Sequence, residues 1–156
     1  IARVIDAVFF DNTPGLGEQI LALGLVEKDF PKIHNRAQLH KAALADKVEL
    51  KKQAEALPPS LCAQATTTLA KIEKQLIHLS QNKTLHLAAE ELLWGTRMNR
   101  LALKRLTAER ANRPVPTLYN DLRTLIGTFE NLWLKRARIG GLYEAQTHLR
   151  EVLKNV

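Results

Sequence analysis

The sequence has few of the residues that form cross-links or stacking surfaces. It contains one cysteine, Cys62, which excludes an intrachain disulfide and leaves no second thiolate for a metal site. Aromatic residues make up 5% of the 156 residues, so few side chains are present on which nucleic-acid bases can stack. No apolar run approaches the ~20 residues that a membrane-spanning helix needs. Arg3 and Asp6 interrupt the first residues, so we do not expect these residues to be a signal peptide. Together these absences favour a soluble domain, with the compartment left open.

Strand-like alternation is also absent, and apolar residues recur instead at three- and four-residue steps. This periodicity predicts an all-α, single-domain bundle of about five or six helices over residues 1–156. An antiparallel hairpin is predicted at about 60–81 and 85–110, packed on a helix over 118–138. The second helix of the hairpin is apolar over more than half of its circumference and is expected to lie at the centre. Because Ile1, Val4 and Val8 already follow helical spacing, we expect a fragment or module of a longer chain.

The positive charge of the chain is concentrated in its second half. Residues 79–156 hold thirteen Lys/Arg against seven Asp/Glu, which gives +6 of the net charge of +7. The candidate anion-binding or partner-binding surface is the cluster Arg97, Arg100, Lys104 and Arg105. Two uses remain open at this point: contacts with nucleic-acid phosphates, or arginine stems packed beside Trp94 with ion pairs to a partner surface. No helix-turn-helix or zinc-finger pattern frames the cluster.

No constellation of catalytic or metal-ligating residues stands out. The five histidines are scattered, and the pair His86 and Glu90 lacks the further ligands of a carboxylate-bridged metal site. Gly15-Leu16-Gly17 follows no strand and precedes no Gly-Lys-Ser/Thr, unlike a phosphate-binding loop. We therefore assign no catalytic, cofactor-binding or metal-binding residue and expect no cofactor, and whether the chain belongs to an enzyme stays open.

A resemblance to a known family covers the segment from Tyr119 to Leu142. The most specific matching positions are Trp133, Arg136, Arg138, Gly140, Gly141 and Leu142. Together with apolar positions such as Leu125 and Phe129, this pattern resembles the C-terminal helical region that follows the catalytic barrel in bacterial glycoside hydrolase family 20, the β-N-acetylhexosaminidase-like proteins. The early segment from Val8 to Gly24 is similar to the start of the same region, so the resemblance spans nearly the whole chain.

The resemblance implies a non-catalytic accessory domain. The family's catalysis uses an adjacent Asp-Glu pair on a barrel strand, and this chain contains no Asp-Glu dipeptide. No catalytic residue can therefore be transferred to it. The resemblance implies that the domain supports the barrel or a subunit contact, and that its partner is an upstream catalytic domain or another subunit. The alternatives are a basic nucleic-acid-binding module and a protein-interaction bundle.

Overall fold

The computed structural model describes residues 1–31, 37–137 and 139–154, and every regular element in these ranges is an α-helix. The eight helices of the described ranges are α1 (Ala2–Phe9), α2 (Leu16–Gly24), α3 (Gln38–Leu44), α4 (Lys47–Ala56), α5 (Pro59–Leu79), α6 (His86–Arg110), α7 (Leu118–Arg136) and α8 (Leu142–Lys154). None of them is both long and apolar enough to cross a membrane.

Helix α6 lies at the centre of the bundle, as the sequence predicts. It packs against α2, α3, α4, α5 and α7. Its buried residues point in several directions rather than along one stripe, which is typical of a helix surrounded by others. They include Ala89, Leu93, Met98, Leu101, Ala102, Leu103 and Leu106.

Two apolar clusters form the core. The larger one joins α3 and α4 to the first half of α5, the second half of α6, and α7 and α8, and Leu106 and Leu122 lie fully buried within it. The smaller one lies where α2 covers α5 and α6 near their connection, with Leu16, Ile72 and Leu93 among its members. Helix α1 packs on α2 alone among the described elements.

The helix count and the details of the hairpin need correction. Eight helices replace the expected five or six, partly because residues 38–56 form two short helices. The chain is extended at Ala45, and the Asp46 carboxylate then accepts a hydrogen bond from the Glu49 backbone amide (2.8 Å) and caps α4. No glycine or proline marks this break in the sequence.

The three long helices also differ from the prediction in bounds and packing. Helix α5 ends at Leu79 and α6 begins at His86, so the connection is longer than expected. Helix α7 ends at Arg136 rather than at residue 138. Of the two hairpin helices, α6 packs on α7, whereas α5 makes no close backbone approach to α7 in the described residues. The hairpin therefore does not pack on α7 as a unit.

Candidate functional site

Three members of the predicted basic cluster lie on one surface, and each is paired with an acid of the same chain. Arg97 Nε lies 3.0 Å from Glu73 Oε1, and Arg100 pairs with the other oxygen of the same carboxylate. Lys104 Nζ lies 2.8 Å from Asp121 Oδ2. These pairs connect α6 to α5 on one side and to α7 on the other. Much of the charge that the sequence shows on this helix face is therefore balanced within the fold.

The same side chains line a small cleft of about 270 Å³ between α5, α6 and α7. Trp94 lies at this cleft, and its Nε1 donates a hydrogen bond to the Leu125 carbonyl (2.9 Å). Trp94 also contacts Phe129, with ring centroids 5.1 Å apart. The indole is thus held by α7 and serves to join two helices.

Arg105 does not belong to the exposed surface on which the sequence analysis placed it. The side chain is 7% exposed and donates hydrogen bonds to the carbonyls of Ala42 (3.1 Å), Ala43 (2.6 Å) and Ala45 (2.6 Å). These carbonyls form the C-terminal end of α3, where a cation is favoured by the helix dipole. Burial lowers the pKa of the Arg105 guanidinium, and the charge of Glu109 opposes this effect. Arg105 is therefore a helix-capping residue inside the bundle.

Arg110 serves α4 in the same way. Its guanidinium donates to the Ala54 carbonyl (2.6 Å from Nη2) and to the Leu57 carbonyl, which lie at the C-terminal end of α4. Two arginines of α6 thus bind the ends of two shorter helices. Sequence analysis missed this role because the acceptors are backbone carbonyls more than fifty residues away in the chain.

The family-like motif builds the corner between α7 and α8. Trp133 packs against Phe129 with ring centroids 5.7 Å apart. Gly141 has φ +81, a conformation that favours glycine, and its Cα lies against the Trp133 ring, which a Cβ placed there would approach to 3.4 Å. Leu142 is buried at the start of α8, whereas Gly140 is exposed. The motif is therefore explained by a tight turn against an indole ring.

Of the two arginines of the motif, only Arg136 lies within the described residues. Arg136 donates from Nε (2.5 Å) and Nη2 (3.0 Å) to the two carboxylate oxygens of Glu91, which joins the end of α7 to α6. The hydrogen bond and charge of Glu91 raise the pKa of the Arg136 guanidinium. Because the Arg136 side chain is 55% exposed, this pair adds little stability. Arg138 lies outside the described residues.

The Gly15-Leu16-Gly17 segment binds a carboxylate of its own chain. The Asp6 carboxylate accepts hydrogen bonds from the backbone amides of Gly15 (3.2 Å) and Gly17 (2.7 Å) at the start of α2. A helix N-terminus favours an anion at this position, and the buried Asp6 supplies it. For metal binding, the described ranges contain no group of three or more His, Cys, Asp or Glu side chains that could hold an ion.

A groove of about 1160 Å³ lies between the first two turns of α5 and the last three turns of α6. We call it the α5–α6 groove. The connection between α6 and α7 closes one end. The uncharged side chains that line it are mostly small: Pro59, Cys62, Ala63, Thr66, Leu103, Thr107, Ala108, Ala111, Pro114, Val115, Pro116 and Thr117. The charged side chains that line it are all cations: Arg100, Lys104, Arg110 and Arg113.

The absence of acidic side chains distinguishes this groove from the cavity on the other side of the same connection. That second cavity, of about 790 Å³, is lined by Asp46, Glu109 and Glu151 as well as by cations. The cations of this groove lie within residues 100–113, and the predicted antiparallel hairpin already places the start of α5 beside the end of α6. Sequence analysis missed the groove because its proline-rich wall has the composition of a linker.

No family model, curated protein or solved structure matches this chain. Its function must therefore be inferred from the geometry of its own surfaces.

Proposed function

We propose that this chain is a helical domain that binds another protein domain or subunit through the α5–α6 groove. The observation that supports this is an apolar lining with four cations and, among the described residues, no acidic side chain. Arg100 and Lys104 are paired with acids that lie outside this lining. Arg113 makes no side-chain hydrogen bond or ion pair with the described residues. An apolar surface with charge of one sign at its edge is suited to a polypeptide of complementary charge. Other charged residues that could bind a ligand, such as Arg105 and Asp6, form hydrogen bonds with the backbone of this chain.

The sequence resemblance extends this proposal to the identity of the partner. A hexosaminidase-like catalytic domain is the partner that it implies, and the chain is then the accessory domain that supports it. The isolated chain should show no turnover of aryl N-acetylglucosaminides above buffer. Reproducible hydrolysis that is lost on mutation of a residue in this chain would overturn the non-catalytic role.

Nucleic-acid binding is the competing proposal, and the +6 charge of residues 79–156 favours it. The pairing of Arg97 and Arg100 with Glu73, and of Lys104 with Asp121, reduces the free charge on that face. The nucleic-acid proposal predicts binding to duplex or single-stranded nucleic acid. This binding should weaken steeply as the salt concentration rises and when these three cations are replaced by acidic residues. Absent or salt-independent binding would remove this proposal.

Site-specific photo-crosslinking in the source cells tests the protein-binding proposal. A photoreactive benzoyl-phenylalanine is placed at Thr66, which lines the groove, or at the neighbouring exposed Thr67, which does not. We expect one partner, identified by mass spectrometry, to be crosslinked from position 66 and not from position 67. Charge reversal by Arg113→Glu should reduce this crosslink. Equal products from both positions, or no product from position 66, would contradict the proposal.

A further inference from the structure

We infer that the occupant of the α5–α6 groove is a short acidic amphipathic helix of the partner protein, about three turns long. This inference rests on the proposed protein-binding function and specifies its ligand. It follows from the shape of the groove, from the distribution of charge around it and from the character of its floor.

The shape of the groove suits a helix. The α6 segment that borders it, residues 100–110, has a length of about 17 Å at 1.5 Å per residue, or about three helical turns. Small side chains on both borders, such as Ala63, Thr107 and Ala111, allow another helix to approach within the usual 8–10 Å between axes. Addition of a peptide as a β-strand would require an exposed sheet edge, and the described elements include no strand. An extended polyproline peptide would favour an aromatic-lined groove, and none of the described lining residues is aromatic.

The charge of the groove calls for an acidic occupant. Arg113 is exposed and makes no side-chain hydrogen bond or ion pair with the described residues. Arg110 donates to backbone carbonyls of α4 and not to a carboxylate among the described residues. The N-terminus of α5 borders the same groove, and it has neither a side-chain cap nor an acidic residue in its first turn. Pro58 and Pro59 have no N–H to offer at this end, so the unpaired positive charge at the groove comes from Arg113.

Two other occupants fit the groove less well. A second copy of this chain carries the same net charge of +7, so two copies repel each other. A nucleic acid would gain from aromatic side chains on which its bases stack, yet no aromatic residue lines the groove. An apolar floor instead complements the leucine or valine face of an amphipathic helix.

Peptide binding to the full chain tests the inference. The probe is a fluorescein-labelled synthetic peptide of 14 residues with leucines on one helical face and glutamates beside them. The controls have the same composition in shuffled order, or lysine in place of glutamate. We expect saturable one-to-one binding of the probe and an affinity at least about tenfold lower for both controls. Equal binding of the shuffled peptide would show charge attraction alone and overturn the inference. Displacement of the probe by a single-stranded oligonucleotide at lower concentration would indicate a nucleic-acid site instead.

Variants of the chain locate the binding to the groove. Arg113→Glu should weaken probe binding by about tenfold, and Thr107→Trp, which fills the groove, should abolish it. Arg123→Glu makes the same charge change at an exposed position of α7 and should alter binding less than twofold. Circular dichroism checks that each variant keeps its helices. An Arg113→Glu effect no larger than that of Arg123→Glu would contradict the inference. If the Thr66 crosslink persists while the probe fails to bind, the helical occupant is wrong and the protein-binding function stands.

Discussion

Arg105 shows how one buried side chain of the central helix determines the position of another helix. Its guanidinium fills the space at the end of α3 and binds three carbonyls that α3 itself cannot satisfy. Glu27 has the opposite role at the other end of the same helix, because its carboxylate accepts hydrogen bonds from the backbone amides of Gln38 and Leu39. Both termini of this seven-residue helix are therefore held by charges from distant segments.

Replacement of Arg105 by methionine should lower the free energy of unfolding by about 3 kcal/mol, because buried carbonyls lose their donors. Arg97→Met removes a cation of the same helix from a surface pair and should cost less than about 1 kcal/mol. Urea unfolding followed by circular dichroism measures both. Equal losses of stability in the two variants would show that the carbonyl contacts of Arg105 stabilise the fold no more than the surface pair of Arg97 does.

Glu27 should make stability depend on pH in an unusual direction. Burial raises the pKa of its carboxyl, and the two backbone hydrogen bonds only partly oppose this. The folded state therefore binds the proton more tightly than the unfolded state does. The contribution of Glu27 to stability should then fall as pH rises from about 4.5, its ordinary pKa, through the raised value.

The variant Glu27→Gln checks this direction, since the amide oxygen can still accept a hydrogen bond and has no charge to desolvate. Relative to the parent chain, the variant should become more stable as pH rises from 4 to 7. Urea unfolding at several pH values measures the free energy of unfolding of both chains. If the parent chain became more stable relative to the variant as pH rises from 4 to 7, the predicted sign would be wrong.

The junction of α1 and α2 depends on close contact between two backbones. A Cβ added at Gly17 would lie 2.2 Å from the Ala2 carbonyl oxygen, so only glycine fits while α1 remains in place. The Gly17 amide also donates to Asp6 of α1. The absence of a side chain at Gly17 therefore allows α1 to pack against α2.

Gly17→Ala should destabilise the chain by about 1–3 kcal/mol even though alanine is the better helix former. Hydrogen exchange should show lost protection across Ala2–Phe9. The matched variant Gly24→Ala changes the last residue of the same helix, where no atom lies within 4 Å of the new Cβ, and should be neutral or stabilising by up to about 1 kcal/mol. Similar effects of the two substitutions would contradict the proposed close packing.

In the whole molecule, α6 is the helix that packs against the largest number of other helices among the described elements. Helices α2, α3, α4, α5 and α7 all pack on it, so most of the core is lost if it unfolds. Helix α1 lies at the periphery and packs on α2 alone among the described elements. Local opening should therefore begin at α1, and the central helices should exchange only by global unfolding.

Leu106→Ala, which leaves a cavity at a fully buried position of α6, should lower the free energy of global unfolding by about 2–5 kcal/mol. The free energy of opening measured by hydrogen exchange at the slowest amides of α4, α5 and α7 should fall by the same amount. These amides exchange through the same global unfolding reaction. The half-exposed Ile77 of α5 provides the control, and Ile77→Ala should cost less than about 1 kcal/mol. A loss confined to α6 would contradict a single cooperative core.

Sequence reasoning succeeded where the signal is local. The all-helical class and the central position of α6 follow from the spacing and spread of apolar residues, which each segment carries by itself. The break at Ala45 was missed because no glycine or proline ends α3, although Asp46 with Glu49 three residues later is a local start signal for α4. The Arg105 contacts that hold the end of α3 come from sixty residues away. For the candidate site, the cations of α6 were visible, but their partners at Glu73, Asp121 and the carbonyls of α3 and α4 were not.

The sequence by itself determined the helical class and the basic second half. Only the tertiary structure decided which positive charges remain free. Arg97, Arg105 and Arg113 look alike along the chain, yet one is paired, one is buried and one borders the α5–α6 groove. The reason is that apolar periodicity acts within a helix, whereas the environment of a charge depends on residues brought near it by the fold.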